Sequence, residues 1–212
     1  MDATVAVAAV REVGPDTVAI EFETPDGFEA EPGQFVKLTG TVDGESYSRF
    51  YTLSSPGVEG TFEVTVGVDP EEAGPFSRHL VDLSAGDELD VTGPFGSDYY
   101  EGESRVVVLA GGPGIGPAVG IGEAAARDGN EVAVVYQSDA PAHEERLDAL
   151  RESGASVVVT DGDIEDAVSD AVTTKEGEQV FVYGFADFVA EATDAVDAAG
   201  GDADAAKVEN FG

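Results

Sequence analysis

The chain has 212 residues, with 44 acidic against 10 basic side chains and a formal net charge of −34. Hydrophobic residues make up 42%, enough to build real cores, so the charge does not signal disorder, and nucleic acid, which needs a basic face, is excluded as a partner. Cysteine is absent, which removes disulfides, thiolate chemistry, zinc–thiolate sites and any cysteine-held iron–sulfur cluster within this chain.

From Thr4 to the region of Gly96 the chain reads as β. Candidate strands are Thr4–Val13, Thr17–Thr24, Gln34–Thr39, Ser48–Leu53, Thr61–Val68 and Glu88–Thr92. Breaks at Gly14-Pro15, Pro25-Asp26-Gly27, Pro32-Gly33, Asp43-Gly44 and Pro56-Gly57 separate them. Apolar and polar residues alternate in Ala19-Ile20-Glu21-Phe22-Glu23 and in Phe62-Glu63-Val64-Thr65-Val66, the pattern of a strand with one face in water. Short strands at this spacing, interrupted by one helix over Phe76–Leu83, predict a small antiparallel Greek-key β-barrel.

After Gly102 the rhythm changes. Val106-Val107-Val108-Leu109-Ala110 is a continuous apolar run, as in a parallel strand covered on both faces. Similar runs follow at Val132–Tyr136, Ser156–Thr160 and Val180–Tyr183, with a weaker one at Lys207–Phe211. Helical stretches lie between them, the first over Ala118–Asp128. Ile164, Ala167, Val168, Ala171 and Val172 share one helical face, with Asp161 and Asp163 as candidate N-caps. Phe185, Phe188, Val189, Ala192 and Val196 share another, and Gly129 and Gly154 read as left-handed C-caps. Strand and helix in alternation predict a doubly wound α/β domain on a five-stranded parallel sheet. The boundary falls in Ser97–Glu103, giving domains over 1–100 and 101–212.

Two short segments carry the chemistry. Arg49-Phe50-Tyr51-Thr52-Leu53-Ser54-Ser55 sets a permanent cation, aromatic rings and hydroxyls along one extended stretch, as a ligand with phosphates and a flat polar-edged ring requires. In a strand Tyr51 shares a face with Arg49, and Thr52 points the other way. The fixed fork of a guanidinium pairs well with a diphosphate; the bland alternative is a surface arginine tied to a carboxylate, and for Tyr51 ordinary barrel packing. Gly111-Gly112-Pro113-Gly114-Ile115-Gly116-Pro117 is a turn between an apolar strand and a helix, where backbone amides can meet phosphate. It is not the strict G-x-G-x-x-G fingerprint, yet an ordinary strand-to-helix turn seldom carries four glycines and two prolines in seven residues. Pro117 suits the first helical turn. Gly74-Pro75-Phe76-Ser77 opens the short helix, either as a phosphate cradle or as a plain turn with a serine cap.

These pieces, together with Pro32-Gly33-Gln34-Phe35, Gly93-Pro94-Phe95-Gly96 and a terminal Glu209-Asn210-Phe211-Gly212, stand in the order found in one family. Over nearly its whole length the chain resembles the ferredoxin–NADP+ reductase superfamily, as an acidic member of haloarchaeal type. The resemblance implies FAD in the first domain and NADH or NADPH in the second. Arg49 then takes the flavin pyrophosphate, Tyr51 lies against the flavin, and Thr52 hydrogen-bonds near its reactive nitrogen. Leu53, Ser54, Gly74, Phe76 and Ser77 complete that site. Gly111, Gly112, Gly114, Ile115, Gly116 and Pro117 line the nicotinamide pyrophosphate, with Ser138, Asp139, Gly184 and Phe185 around the rest of the nucleotide. Asp139, with no base before Arg146, favours a free ribose hydroxyl and so NADH over NADPH.

Tyr183 departs from the family, since many relatives carry Cys-Gly-Pro where this chain has Tyr183-Gly184-Phe185, so thiol-assisted positioning is excluded. Phe211 covers the flavin face until nicotinamide displaces it, or else is a last core contact. Tyr51, Thr52, Tyr183 and Phe211 are thus the candidate catalytic residues, and no metal is expected. The implied activity is hydride transfer from NAD(P)H to FAD, followed by electron transfer to a ferredoxin or other redox partner. The alternative is a non-catalytic flavin- or nucleotide-binding subunit that regulates, or carries electrons within, a larger complex.

The acidic excess runs along the whole chain and forms no tail. Self-repulsion of that size weakens a compact state in dilute buffer and fades when the Debye length shrinks to about 3 Å in molar salt. No run approaches the roughly 18 apolar residues of a membrane span, and Met1-Asp2-Ala3-Thr4 opens no secretory signal. The expectation is a cytoplasmic protein of a salt-filled cell.

Overall fold

The computed structural model describes residues 1–68 and 73–212. Strands β1 (Asp2–Gly14), β2 (Thr17–Glu23), β3 (Phe35–Val42), β4 (Glu45–Thr52), β5 (Thr61–Gly67) and β6 (Glu88–Phe95) form an antiparallel sheet in the order β4-β3-β6-β1-β2-β5. Its two edges meet where the Ser54 amide donates to the Glu63 carbonyl at 2.8 Å and Leu53 bridges to Val64, which closes the barrel. Inside, Ile20, Phe22, Val36, Leu38, Phe62 and Val64 are sealed from solvent, and the Phe22 and Phe62 rings stack at 5.3 Å. Helix α1 (Pro75–Val81) drops Phe76 and Leu80 into the same core.

The second half is a parallel sheet of β7 (Arg105–Gly111), β8 (Glu131–Gln137), β9 (Ser156–Thr160), β10 (Glu178–Gly184) and β11 (Lys207–Asn210), ordered β11-β10-β7-β8-β9. Its apolar runs divide by side-chain parity. Val106, Val108 and Ala110 pack with α2 (Ile115–Arg127) and α3 (Glu144–Glu152). Val107 and Leu109 pack with α4 (Glu165–Ala171) and α5 (Ala186–Ala198). The chain winds outward from β7 through β8 and β9, then returns to β10. The switch point therefore lies between β7 and β10, where the carboxyl ends of open α/β sheets bind ligands.

The two-domain architecture is the one expected, and the local differences have physical causes. Helix α2 begins at Ile115 because the glycine turn itself winds into a short 3-10 segment over Gly112–Gly114. At α4 neither expected aspartate is the cap, which is Ile164, although the Asp163 carboxylate accepts from the Glu165 amide at 2.8 Å. Gly129 and Gly154 are left-handed, at φ of 78° and 101°, and stop α2 and α3 as expected. Phe185 leaves the buried face of α5, standing just before the helix with its ring 52% exposed.

The larger correction concerns β5. Its alternation was expected to leave Glu63 and Thr65 in water, yet they are only 5% and 7% exposed. The outer face of β5 is covered by the second domain. Gly116 of α2 leaves its missing Cβ 2.8 Å from Thr65, and Gly120 leaves its own 3.0 Å from the Ser54 carbonyl. Closest of all is Gly114, where a Cβ would stand 2.1 Å from the Tyr183 carbonyl oxygen. Backbone cannot yield there as a side-chain tip can. Gly114→Ala is expected to cost about 3 kcal/mol, read as a lowered denaturation midpoint at unchanged slope.

Candidate active site

On β4 and β3 the paired residues Val36↔Tyr51, Leu38↔Arg49 and Gly40↔Tyr47 face the same way. Val36 and Leu38 lie deep in the barrel, so Tyr47, Arg49 and Tyr51 line its open mouth towards α1. Tyr47 stacks on Phe76 at 6.4 Å, and the Tyr51 side chain lies near Ser77. Burial, partly offset by the Arg49 charge and by Ser77, pushes the Tyr51 phenol up to about 12, so it stays neutral at working pH. Arg49 sits between the two tyrosines, exposed, with its Nη1 donating to the Ser48 carbonyl at 2.8 Å. Among the described residues no carboxylate pairs with it, although acids outnumber bases more than fourfold. A guanidinium without a carboxylate partner fits a diphosphate.

Thr52 points the other way, into a cleft of about 380 Å³ that Arg49, Phe50, Tyr51, Thr65, Gly67, Pro113, Pro117, Glu209, Asn210 and Phe211 also wall. Its Oγ1 donates to Glu209 Oε2 at 2.8 Å, across 157 residues of sequence. Burial first, with the Asp98 charge adding and the Thr52 hydrogen bond opposing, pushes the Glu209 carboxyl up to about 7. Phe211 donates its amide to the Gly184 carbonyl at 2.9 Å and turns its ring edge-on to Phe185 at 6.1 Å. Gly67 and Pro113 also border a second cleft of about 290 Å³, walled by Gly112, Tyr136, Ser138, Ala140 and Phe185. Gly112 is left-handed (φ 53°) with nothing near its missing Cβ, so its backbone meets open space. Asp139 is exposed between Ser138 and Ala140.

The structure therefore brings Arg49, Tyr51, Thr52, Pro117 and Phe211 to the first cleft and Gly112, Ser138 and Phe185 to the second, with Asp139 exposed next to Ser138, Ser77 beside Tyr51 and Gly74 exposed at the start of α1. Other expected residues turn elsewhere. Leu53 is barrel core, and Ser54 is fully buried with its hydroxyl donating to Glu63 Oε1 at 2.7 Å. The Phe76 side chain is core, leaving only its backbone for a ligand. Ile115 is core, while Gly114 and Gly116 press against Tyr183 and Thr65. Gly111 and Gly184 make room for the Phe188 ring, 2.4 and 2.6 Å from their absent Cβ atoms. Tyr183 is corrected outright as a cleft residue. Its ring is 1% exposed, packed under Gly33 with its hydroxyl 3.5 Å from the Asp98 carbonyl, because its parity on β10 points it into the α2 side of the sheet. Glu209 takes the place in the cleft that Tyr183 was expected to fill. Its neighbourhood was readable only through the terminal motif, since nothing local marks one acid among 44 as buried.

A closed antiparallel barrel followed by a five-stranded parallel sheet is the two-domain fold of the ferredoxin–NADP+ reductase structures. Residues 4–100 match the family of oxidoreductase FAD-binding domains. That match assigns the first domain to the FAD-binding oxidoreductase family, and it supports an FAD- and NAD(P)-binding oxidoreductase for the chain. It is 35% identical over 109 residues to a probable dihydroorotate dehydrogenase B (NAD(+)) electron transfer subunit of Methanopyrus kandleri, covering 51% of this chain and 38% of that one. It is 34% identical over 109 residues to NADH-cytochrome b5 reductase 1 of Eremothecium gossypii, covering 49% and 38%. The matched stretch thus spans about two fifths of the length of these curated relatives. In fold it is similar to a ferredoxin NADP+ reductase from Neisseria gonorrhoeae solved with FAD and NADP, at a TM-score of 0.80 and 18% identity, over 100% of this chain and 99% of that one. The matching FAD-binding family and the neighbour solved with FAD and NADP support FAD with a nicotinamide nucleotide as the cofactors. Among the described residues no helix is long and apolar enough to cross a membrane.

Proposed function

We propose that this chain is an NAD(P)H-dependent flavoprotein reductase, with FAD on the 1–100 domain and the nucleotide on 101–212. Electrons leave to a separate redox protein, of which a ferredoxin is one. The observation that carries the reading is Arg49: a cation without a carboxylate partner among the described residues, on a cleft that shares Gly67 and Pro113 with a second cleft beside the glycine turn. When bound, the flavin supplies the hydride-accepting and electron-releasing chemistry. The residues supply the rest. Arg49 and the first-turn amides of Phe76 and Ser77 hold the diphosphate, and Tyr51 offers a neutral ring to a flat partner. Phe211 shields the cleft from water. Glu209 holds a proton below about pH 7, and Thr52 Oγ1 donates a hydrogen bond to it at 2.8 Å. Gly112 and Ser138 line the nucleotide cleft.

Asp139 and the absence of a free base beside it support NADH over NADPH. Arg146, the next cation along, is committed to Glu63, Glu123 and the Ser54 carbonyl. The test is to mix FAD-loaded protein with each nucleotide in molar salt. The expected result is prompt bleaching of the yellow colour by NADH, at least about tenfold faster than by NADPH, as one unpaired acid facing a 2′-phosphate predicts. An unchanged spectrum with both overturns the reading and leaves a binding module. The electron-transfer subunit named in the Methanopyrus relative supports a variant of the same proposal, in which the acceptor is a subunit of a larger assembly. A panel of acceptors added to the reduced protein separates the two.

A further inference from the structure

We propose that the seam between β5 and the second domain is a positioning device for hydride transfer, in which Glu63, Arg146 and His143 set the span between the two clefts without lining either. This rests on the function proposed above. Polar interfaces between domains are mobile by default, whereas transfer needs the reacting atoms about 3–3.5 Å apart, and a 1 Å misplacement costs on the order of 100-fold. Something must hold the halves in register.

Three contacts do so. Arg146 of α3 sends Nη1 to Glu63 Oε1 at 2.9 Å and Nη2 to the Ser54 carbonyl at 2.7 Å, both in the barrel. Glu123 grips the same guanidinium from its own domain, at 2.7 and 2.9 Å. Across the seam the Glu63 carboxylate is already oriented by Ser54 Oγ and by Arg11 Nη2, each at 2.7 Å. Both charges are thus fixed before they meet, so little side-chain freedom is lost when they do. Every oxygen and nitrogen of the pair has a partner, as a buried charge requires.

His143 makes the third contact. Its Nε2 lies 2.8 Å from Thr65 Oγ1, and its backbone amide donates to the Val13 carbonyl at 2.7 Å. It holds a left-handed conformation at φ 55°, uncommon for a residue with a side chain, and Gly14 leaves the space that Ala142 fills beside it. Burial, helped by the charges of Arg146 and Arg11, keeps the imidazole neutral. The loop that carries Ser138 in the nucleotide cleft therefore ends on a residue bolted to Thr65, which itself walls the flavin cleft.

The test uses FAD-loaded protein in molar salt and the variants His143→Leu, Arg146→Gln and the conservative His143→Gln. Flavin retention, KM for NADH, the bleaching rate at saturation and its isotope effect with NADH deuterated at the transferred position are measured. The first two variants are expected to keep FAD and a KM within about twofold, while bleaching slows at least about tenfold with a larger isotope effect. His143→Gln, which restores a polar nitrogen, is expected to recover to within about threefold of wild type. A second readout needs no turnover: scanning calorimetry of wild type gives one transition, and the seam variants give two. Wild-type bleaching, an unchanged isotope effect and a single transition in folded His143→Leu and Arg146→Gln overturn the proposal, as does a loss confined to KM. Should His143→Leu fail to fold, Arg146→Gln carries the test, since Arg11 still pairs Glu63 there. Should wild type not bleach at all, the functional reading falls, and the calorimetric split alone judges the seam.

Discussion

Replacing Arg49 with alanine is expected to strip the protein of flavin while leaving its fold intact. The side chain is exposed and bound to nothing but the neighbouring Ser48 carbonyl, so the stability of the empty protein moves by no more than about 0.5 kcal/mol. A diphosphate, by contrast, loses charge-assisted bonds worth about 3 kcal/mol, which weakens FAD on the order of 100-fold. Arg49→Lys recovers only part, because a point charge cannot reproduce the fork. Titrating FAD against the three proteins, with melting curves of each alone, checks both halves. Equal affinity in all three removes the basis of the flavin site.

Glu209→Gln has the second large effect, and it is a pH effect with a definite sign. The carboxyl titrates near 7 in the folded protein, against 4.5 for an ordinary glutamate. The folded state therefore binds more protons than the unfolded one between those values. Stability is intact below about pH 4.5 and is lost as pH rises towards 7, by about 3 kcal/mol in all. The glutamine variant does not ionise, so it is expected to match wild type near pH 4 and exceed it at pH 8. Bleaching by NADH is expected to show a break near 7 in wild type that the variant lacks. Denaturation at several pH values and a pH–rate profile read the two consequences separately.

Much of this architecture is legible in the residues themselves. The five-residue apolar run at Val106–Ala110 demands cover on both faces, and it receives α2 and α3 on one side, α4 and α5 on the other. The Arg49–Thr52 stretch states which side chains share a face, and the barrel keeps that parity. What parity cannot state is what lies beyond the face. Glu63 and Thr65 alternate with core valines as wet residues do, yet another domain covers them. Tyr183 and Ser54 fail for the same reason. Their place in a motif suggested the cleft, while the sheet geometry turned each towards packed protein. Glu209 is the converse case, an acid indistinguishable by composition from its many neighbours, made special only by the strand that lays it opposite Thr52.

Two of the glycines of α2 carry a quieter implication. Where Gly116 and Gly120 press against Thr65 and Ser54, the thickness of the joint is set by atoms that are missing. A methyl group added at either place acts as a shim, a few tenths of an ångström thick to order of magnitude. Tightness of fit at that joint is thus a dial, turned by single carbon atoms and remote from any reacting group.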